Sequence, residues 1–284
     1  MEMDEKEQVL KEVQAIELEM LKTVAELCDR HEIRYYLYCG TLLGAVRHGG
    51  FIPWDDDVDL AMPLEDYFHF LKVADELPPQ YCVQSIENTP HYFQLWAKVH
   101  ANGTTFMKKS QAAIDVHWGI SLDIYPMIGA AGTHAGMLLQ RVILEGARYL
   151  AQAERFSKLD LGPQWLHGVD RIVLLVPLSW RRGTVKMLRR VAMCSPKEGR
   201  KVGTLDSRPF WGKFKAESFQ KQIRTKYENT EFWIPADYDK VLRRMYGDYM
   251  ILPPEGMRYA HWDSTMIVDP NRDYREYQQE LRKK

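Results

Sequence analysis

The spacing of apolar residues predicts that the chain starts with a long amphipathic helix. Across 4–31 the apolar positions recur every three or four residues, which places them on one helix face: Val9, Val13, Ile16, Met20, Val24 and Leu27. A short β-prone run at 35–39 follows. Gly40 and Thr41 then mark a tight turn into a short helix that ends near Arg47, with Thr41 as its cap.

Further apolar runs predict a sheet followed by helices. Strands are expected at 57–62, 81–86, 95–100 and 121–125, and helices at 63–76, 134–157, 168–194 and 238–246. The fold class predicted from this order is α/β (α+β), with a mixed β-sheet core flanked by helices. We place the catalytic core in residues 1–130 and a mostly helical C-terminal addition in residues 131–284.

Composition narrows the class of protein. Among 284 residues, 45% are hydrophobic and 27% are charged, which is typical of a globular protein and excludes a disordered or fibrous one. The four cysteines are scattered without metal-ligand spacing, so we expect reduced thiols. The N-terminus has no apolar secretion segment, and the longest strongly apolar run, 172–180, has nine residues where a membrane span needs about 20. We therefore expect a cytoplasmic protein.

The net charge of −1 conceals one strongly basic segment. Residues 171–201 carry nine basic side chains and one acidic one, so the segment has a charge of +8. It overlaps the apolar run that ends at Trp180, and such a combination is typical of an element that lies on an anionic membrane. We expect peripheral contact with the inner membrane face; a buried helix with a solvated basic face is the alternative. A nucleic-acid binder would be basic overall, so no nucleic acid is expected.

The most informative segment is acidic. Asp55, Asp57 and Asp59 alternate along the start of a predicted strand, and alternate side chains on a strand share one face. Three carboxylates on one face repel each other, and strands ordinarily avoid aspartate. A divalent cation between them would relieve this repulsion, and oxygen ligands favour Mg²⁺ or Mn²⁺ over zinc. An acidic surface turn is the alternative interpretation.

Two stretches resemble one family. The residues Gly40-Thr41 and the run RHGGFIPWDDDVD at 47–59 resemble the signature of the LicD family of the nucleotidyltransferase superfamily, which is similar to the fukutin-type ribitol-phosphate transferases. Residues 235–261, which include Tyr246-Gly247-Asp248 and His261, resemble the closing motif of that family. The resemblance implies a nucleotidyltransferase fold whose site the C-terminal motif completes.

The resemblance also implies roles for individual residues. Gly40 and Thr41 match the turn that approaches the donor phosphates. Asp57 and Asp59 match a catalytic metal-binding pair, and Asp55 adds a carboxylate. The superfamily has a third acid on a neighbouring strand, which we assign to Asp123, with Asp115 as a weaker rival.

Three more residues are candidates for binding the nucleotide or its phosphates. Arg47 lies within the first motif, and a planar guanidinium suits phosphate binding. Lys98 lies in a predicted strand and resembles a lysine of the family. His261 belongs to the C-terminal motif and is a candidate for contact with phosphate or acceptor.

The activity implied by the resemblance is a metal-dependent phosphotransfer. A phospho-substituent, phosphocholine or a polyol phosphate, would pass from a CDP-linked donor to a hydroxyl of a cell-surface glycan or teichoic acid precursor, and CMP would leave. Two alternatives stay open: a conventional nucleotidyltransferase that acts on a small alcohol, and a non-catalytic binding protein on the same fold. The repelling acids Asp55, Asp57, Asp59 and Asp123 argue against the last.

Overall fold

A computed structural model describes residues 3–159, 172–193, 201–205, 214–260 and 262–283. The helices are α1 (Met3–Arg30), α2 (Cys39–Arg47), α3 (Leu64–Val73), α4 (His134–Leu159), α5 (Leu178–Met193), α6 (Tyr238–Tyr246) and α7 (Tyr274–Arg282). The strands are β1 (Tyr36–Leu37), β2 (Val58–Pro63), β3 (Tyr81–Gln84), β4 (Ala97–Ala101), β5 (Thr105–Lys108), β6 (Ser121–Gly129), β7 (Lys201–Thr204), β8 (Phe214–Lys215), β9 (Gln222–Tyr227), β10 (Thr230–Pro235) and β11 (Met266–Asp269).

A mixed sheet forms the centre of the described chain. Its strand order is β1-β2-β6-β4-β3; β7 pairs with the end of β6, and β8 pairs with β7. Strands β2 and β6 run parallel, and the other pairs of this sheet are antiparallel. The predicted α/β class with a mixed sheet is therefore confirmed. Two small antiparallel sheets, β9 with β10 and β5 with β11, lie beside it.

The main core lies between the sheet and the helices that cover it. Val58, Leu60 and Met62 of β2 are fully buried, and Met20 and Val24 of α1 belong to the same apolar cluster. Helix α1 contacts β4 and β6, so its predicted apolar face packs on the sheet. Burying one large aliphatic side chain contributes about 1.5–3 kcal/mol, and this packing is what fixes α1 above the strands that carry the acids.

The C-terminal half contains the predicted helices and several strands that the sequence did not predict. Helices α4 and α5 pack side by side, and Gln140 of α4 donates a hydrogen bond from Nε2 to the carbonyl oxygen of Ala192 at 2.7 Å. Strands β5 and β7–β11 and helix α7 are additions to the predicted elements. Part of the predicted helix at 168–194 falls outside the described residues.

Four basic side chains of the described part of the basic segment contact the rest of the protein, whereas Arg190 is exposed. Arg181 and Arg189 of α5 are buried, and Arg189 Nη1 lies 3.2 Å from Glu87 Oε1. Lys186 Nζ lies 3.3 Å from the other oxygen of Glu87, and Arg182 donates a hydrogen bond to the carbonyl oxygen of Ile86. The two helices instead expose apolar side chains: Leu138, Leu139, Val142, Trp180, Met187 and Val191. In the described part of the chain, no helix is both long and apolar enough to span a bilayer.

Candidate active site

The two parts of the first motif lie in contact. Helix α2 begins at Cys39, whose φ of 44° lies in the left-handed region, and Gly40 follows it directly against the Asp55 carboxylate. A Cβ atom at Gly40 would lie 2.5 Å from Asp55 Oδ2, so a larger residue would displace this carboxylate from its position. Thr41 is buried, and its Oγ1 accepts a hydrogen bond of 2.8 Å from the backbone N–H of Asp59. Gly40 and Thr41 therefore lie in the first turn of α2, where Thr41 contacts the strand of Asp59 and, contrary to the prediction, does not cap the helix.

Three predicted site residues lie in one row across three neighbouring strands. Asp59 of β2 is the register partner of Asp123 of β6, and Asp123 is the register partner of Lys98 of β4. Lys98 forms an ion pair with Asp123 and donates a hydrogen bond of 3.1 Å to Ser121 Oγ. The hydroxyl of Tyr125 donates to Asp123 Oδ2 at 2.9 Å. The predicted place of Asp123, on the strand beside the acidic strand, is confirmed.

Three more acids, Asp55, Asp56 and Asp57, lie in the loop before β2. Strand β2 begins at Val58, so the alternation rule that grouped Asp55, Asp57 and Asp59 reaches only the last of them. Asp55 and Asp56 are both buried, whereas Asp57 is exposed. Burial, followed by the charges of Asp57 and Asp56, raises the pKa of Asp55 to about 8. The positions of these carboxylates are therefore set by the conformation of the loop and not by the alternation of side chains along a strand.

The donor chemistry of these acids fits a divalent cation. Asp55, Asp57, Asp59 and Asp123 supply only carboxylate oxygens, the ligand type that Mg²⁺ and Mn²⁺ prefer. Burial is the main cause of the raised pKa of Asp55 and repulsion by Asp57 and Asp56 adds to it; a cation beside the carboxylate would oppose both effects. Within the ranges that the structure describes, no three His, Cys, Asp or Glu side chains are already arranged as a metal-binding group. The chemistry of the carboxylates thus suits a divalent cation, while their described positions are not those of an assembled metal site.

A pocket of about 280 Å³ opens beside this row and contains more charged groups than the sequence indicated. Its acidic lining residues are Glu17, Asp56, Asp57 and Asp123, and its basic ones are Lys98, Lys108 and Arg155. Sequence reasoning missed Glu17, Lys108 and Arg155. None of them lies in a motif, and helix packing brings Glu17 and Arg155 to the pocket from α1 and α4.

Aromatic side chains form another part of the pocket lining. Tyr92, Phe93, Phe106 and Trp118 all contribute. The ring centroids of Phe93 and Trp118 lie 6.0 Å apart, and the Arg155 guanidinium lies 5.2 Å from the Phe93 centroid. The pocket therefore combines acids, cations and aromatic rings. This combination suits a ligand with a diphosphate and either an organic cation or a nucleobase.

The remaining predicted residues are placed differently. Arg47 donates from Nη1 to the carbonyl oxygen of Tyr249 at 2.8 Å and from Nε to His48 Nε2, so it joins the first motif to the C-terminal one. It does not line the pocket. Asp115 is exposed and lies outside the pocket lining, which favours Asp123 as the third acid. His261 lies outside the described residues, so its predicted role is untested.

A mixed sheet with acids on adjacent strands, beside a helix that starts at Cys39-Gly40-Thr41, is the arrangement that the resemblance to nucleotidyltransferases implies. Residues 32–142 match the family described as LicD/FKTN/FKRP, nucleotidyltransferase domain, and the predicted LicD resemblance is thereby confirmed. The chain is 29% identical over 276 residues to the lipopolysaccharide cholinephosphotransferase LicD of Haemophilus influenzae, which covers 90% of this chain and 97% of that protein. It is also 50% identical over 48 residues to the human ribitol 5-phosphate transferase FKRP, or 17% of this chain and 10% of that protein.

Proposed function

We propose that this protein is a phosphotransferase that acts on a cell-surface glycan or teichoic acid precursor. In this proposal, a CDP-linked donor supplies phosphocholine or a polyol phosphate, Mg²⁺ or Mn²⁺ is required, and CMP is released. The observation that carries the proposal is the row of Lys98, Asp123 and Asp59 beside a pocket with further acids and cations. Similarity to a cholinephosphotransferase along nearly the whole chain supports the transferase class.

The proposed reaction breaks one phosphoanhydride bond and forms one phosphoester bond. An acceptor hydroxyl attacks the phosphorus distal to cytidine, the bond from that phosphorus to the bridging oxygen breaks, and CMP leaves with the bonding electrons. A carboxylate near the acceptor takes the hydroxyl proton. Asp57, Asp59 and Asp123, with Asp55, would hold the cation, whose chemistry is to neutralise charge on the transferred phosphoryl group.

The basic residues of the pocket have a distinct role in this proposal. The pocket that contains the acids is also lined by three cations, Lys98, Lys108 and Arg155. In this proposal these cations contact the diphosphate of the donor. Preorganised cations stabilise the charge that develops on the leaving group, and they need no rearrangement during the reaction. Arg47 would act less directly, because its guanidinium is bonded to Tyr249.

The aromatic lining favours choline over a polyol as the donor head group. Phe93 and Trp118 both line the pocket with their ring centroids 6.0 Å apart, and a desolvated quaternary ammonium that lies against an aromatic ring is attracted by about 2 kcal/mol. Ribitol and glycerol carry no charge that could use these rings. We therefore propose phosphocholine as the transferred group.

Contact with an anionic membrane is a further part of the proposal. The exposed apolar side chains of α4 and α5, among them Trp180, Met187 and Leu139, would enter the interface rather than the buried arginines. Arg141 and Arg190 are exposed on the same two helices, and α5 contains no acidic residue. Apolar side chains with neighbouring cations bind anionic lipid surfaces.

One screen tests the proposed function. CDP-choline, CDP-ribitol and CDP-glycerol are each incubated with the protein, a glycan acceptor and Mg²⁺ or Mn²⁺, and CMP is measured. We expect CMP release from CDP-choline that EDTA abolishes. Pyrophosphate release from CTP, with no CMP from any CDP-linked donor, would instead indicate a conventional nucleotidyltransferase.

A further inference from the structure

Helix α1 precedes the matched family region and still contributes a side chain to the site. The family match covers 32–142, whereas α1 spans Met3–Arg30. Within α1, Glu17 lies among apolar neighbours and is only 1% exposed. Its Oε2 atom has no hydrogen-bond partner among the described residues. Burying an unpaired polar group destabilises the folded state, and burying a charged one does so more strongly, so this position calls for an explanation.

On the side of Glu17 that lines the pocket, its neighbours include acids of the candidate site. Glu17 lines the same pocket as Asp56, Asp57 and Asp123. One turn earlier on α1, Gln14 Nε2 donates a hydrogen bond of 2.8 Å to the carbonyl oxygen of Asp55. Residues three apart on a helix share a face, so the contact that anchors α1 to the acidic loop also turns Glu17 toward the pocket. Burial and the charges of Asp57, Asp56 and Asp55 raise the pKa of Glu17 well above its usual range.

We propose that Glu17 is an additional carboxylate of the divalent-cation site, which it reaches directly or through one water molecule. The proposal rests on the metal dependence proposed above. A buried carboxylate with an unpaired oxygen that faces other carboxylates is stable as an anion only when a cation compensates it. The structural alternative is a permanently protonated glutamic acid that merely fills space under the sheet. The two interpretations predict different results when the carboxylate is replaced by an amide: metal affinity falls if Glu17 binds the cation, and it is unchanged if Glu17 is a protonated structural residue.

The test is a calorimetric titration of the purified full chain with Mn²⁺ alone at pH 7.5. The variants are Glu17→Gln and Asp59→Asn, and Glu26→Gln is the matched control because Glu26 is an exposed residue of the same helix. Loss of groups around a metal costs about 10–100-fold in affinity. We expect Glu17→Gln to weaken Mn²⁺ binding by that factor and Glu26→Gln to bind as the parent does. Thermal unfolding in EDTA checks that Glu17→Gln is folded.

The results separate this inference from the proposed function. If Asp59→Asn loses Mn²⁺ binding and Glu17→Gln keeps the parent affinity, Glu17 is a structural acid and only this inference is overturned. If the parent binds no Mn²⁺, or Asp59→Asn binds it normally, the proposed metal site itself is wrong. Because metal binding rather than turnover is measured, neither result depends on knowing the donor or the acceptor.

Discussion

Removing the charge of Asp55 should change how the stability of the metal-free protein depends on pH. Burial and the neighbouring Asp57 and Asp56 raise the pKa of Asp55 from 3.8 to about 8. A carboxyl whose pKa is higher in the folded state favours folding when it is protonated. Its contribution is fully present below the unfolded-state pKa and is lost as the pH rises through the folded-state pKa. The window for Asp55 is therefore about pH 4 to about pH 8.

The magnitude follows from proton linkage. When a group is protonated in the folded state and ionised in the unfolded state, each unit of increase in pH lowers the free energy of unfolding by about 1.4 kcal/mol. Asp55→Asn keeps the shape of the side chain and removes this proton uptake. The stability of the variant relative to the parent should therefore increase by up to about 1.4 kcal/mol for each pH unit between 5 and 8. Glu17, whose pKa is also raised, keeps a slope of the same sign in both proteins.

Urea unfolding in EDTA, followed by tryptophan fluorescence at pH 5, 6, 7 and 8, measures this difference. Asp75→Asn serves as the control, because Asp75 is exposed and should leave the pH profile parallel to that of the parent. Saturating Mn²⁺ at pH 8 should stabilise the parent more than Asp55→Asn. Parallel pH profiles for the parent and Asp55→Asn would refute the buried, mutually repelling carboxylates on which the metal proposal depends.

Three further predictions address the acid row, the head group and the membrane. Asp123→Asn should lower metal-dependent turnover by at least about 100-fold with an unchanged fold, whereas Asp115→Asn should stay active; the reverse result would show that the third acid is misassigned. Trp118→Ala should raise KM for CDP-choline about 10-fold and leave KM for CDP-ribitol within about 2-fold; equal increases would place Trp118 against the cytidine instead. Trp180→Ser combined with Met187→Ser should weaken binding to anionic vesicles by roughly 10–100-fold, and vesicle flotation that is unaffected would show that this surface binds something else.

The elements that the sequence predicted well are those with a strong local signal. The apolar spacing of α1 is long and regular, and its predicted range 4–31 differs from the observed Met3–Arg30 by one residue at each end. Helix α6, predicted at 238–246, has those bounds. Strands β9 and β10 were missed because the turn between them, where Glu228 has a φ of 54°, lacks the glycine that usually marks a hairpin.

The residues of the candidate site also fall into two groups, those with a distinctive local sequence and those brought to the site only by packing. The location of Asp59 and Asp123 on neighbouring strands could be predicted because their sequence surroundings are distinctive, whereas their register as direct neighbours is known only from the observed pairing of β2 with β6. Arg155 and Glu17 could not be predicted, because each is an ordinary charged residue on a helix. Only the packing of α4 and α1 on the sheet brings these residues to the pocket. The inward direction of Arg189 likewise depends on a distant partner, Glu87.

The first motif is supported in part by residues from the last quarter of the chain. The loop between α2 and β2 carries the acids, and its own backbone supplies few of the contacts that hold it. Phe51 donates its N–H to Glu228 Oε1 at 2.9 Å, and Arg47 at the end of α2 is bonded to the carbonyl oxygen of Tyr249. Both partners come from the last quarter of the chain, and Tyr249 lies within the second motif. The C-terminal region therefore helps to hold both ends of the segment that leads to the acids: Tyr249 binds Arg47 at the end of α2, and Glu228 binds the backbone of Phe51.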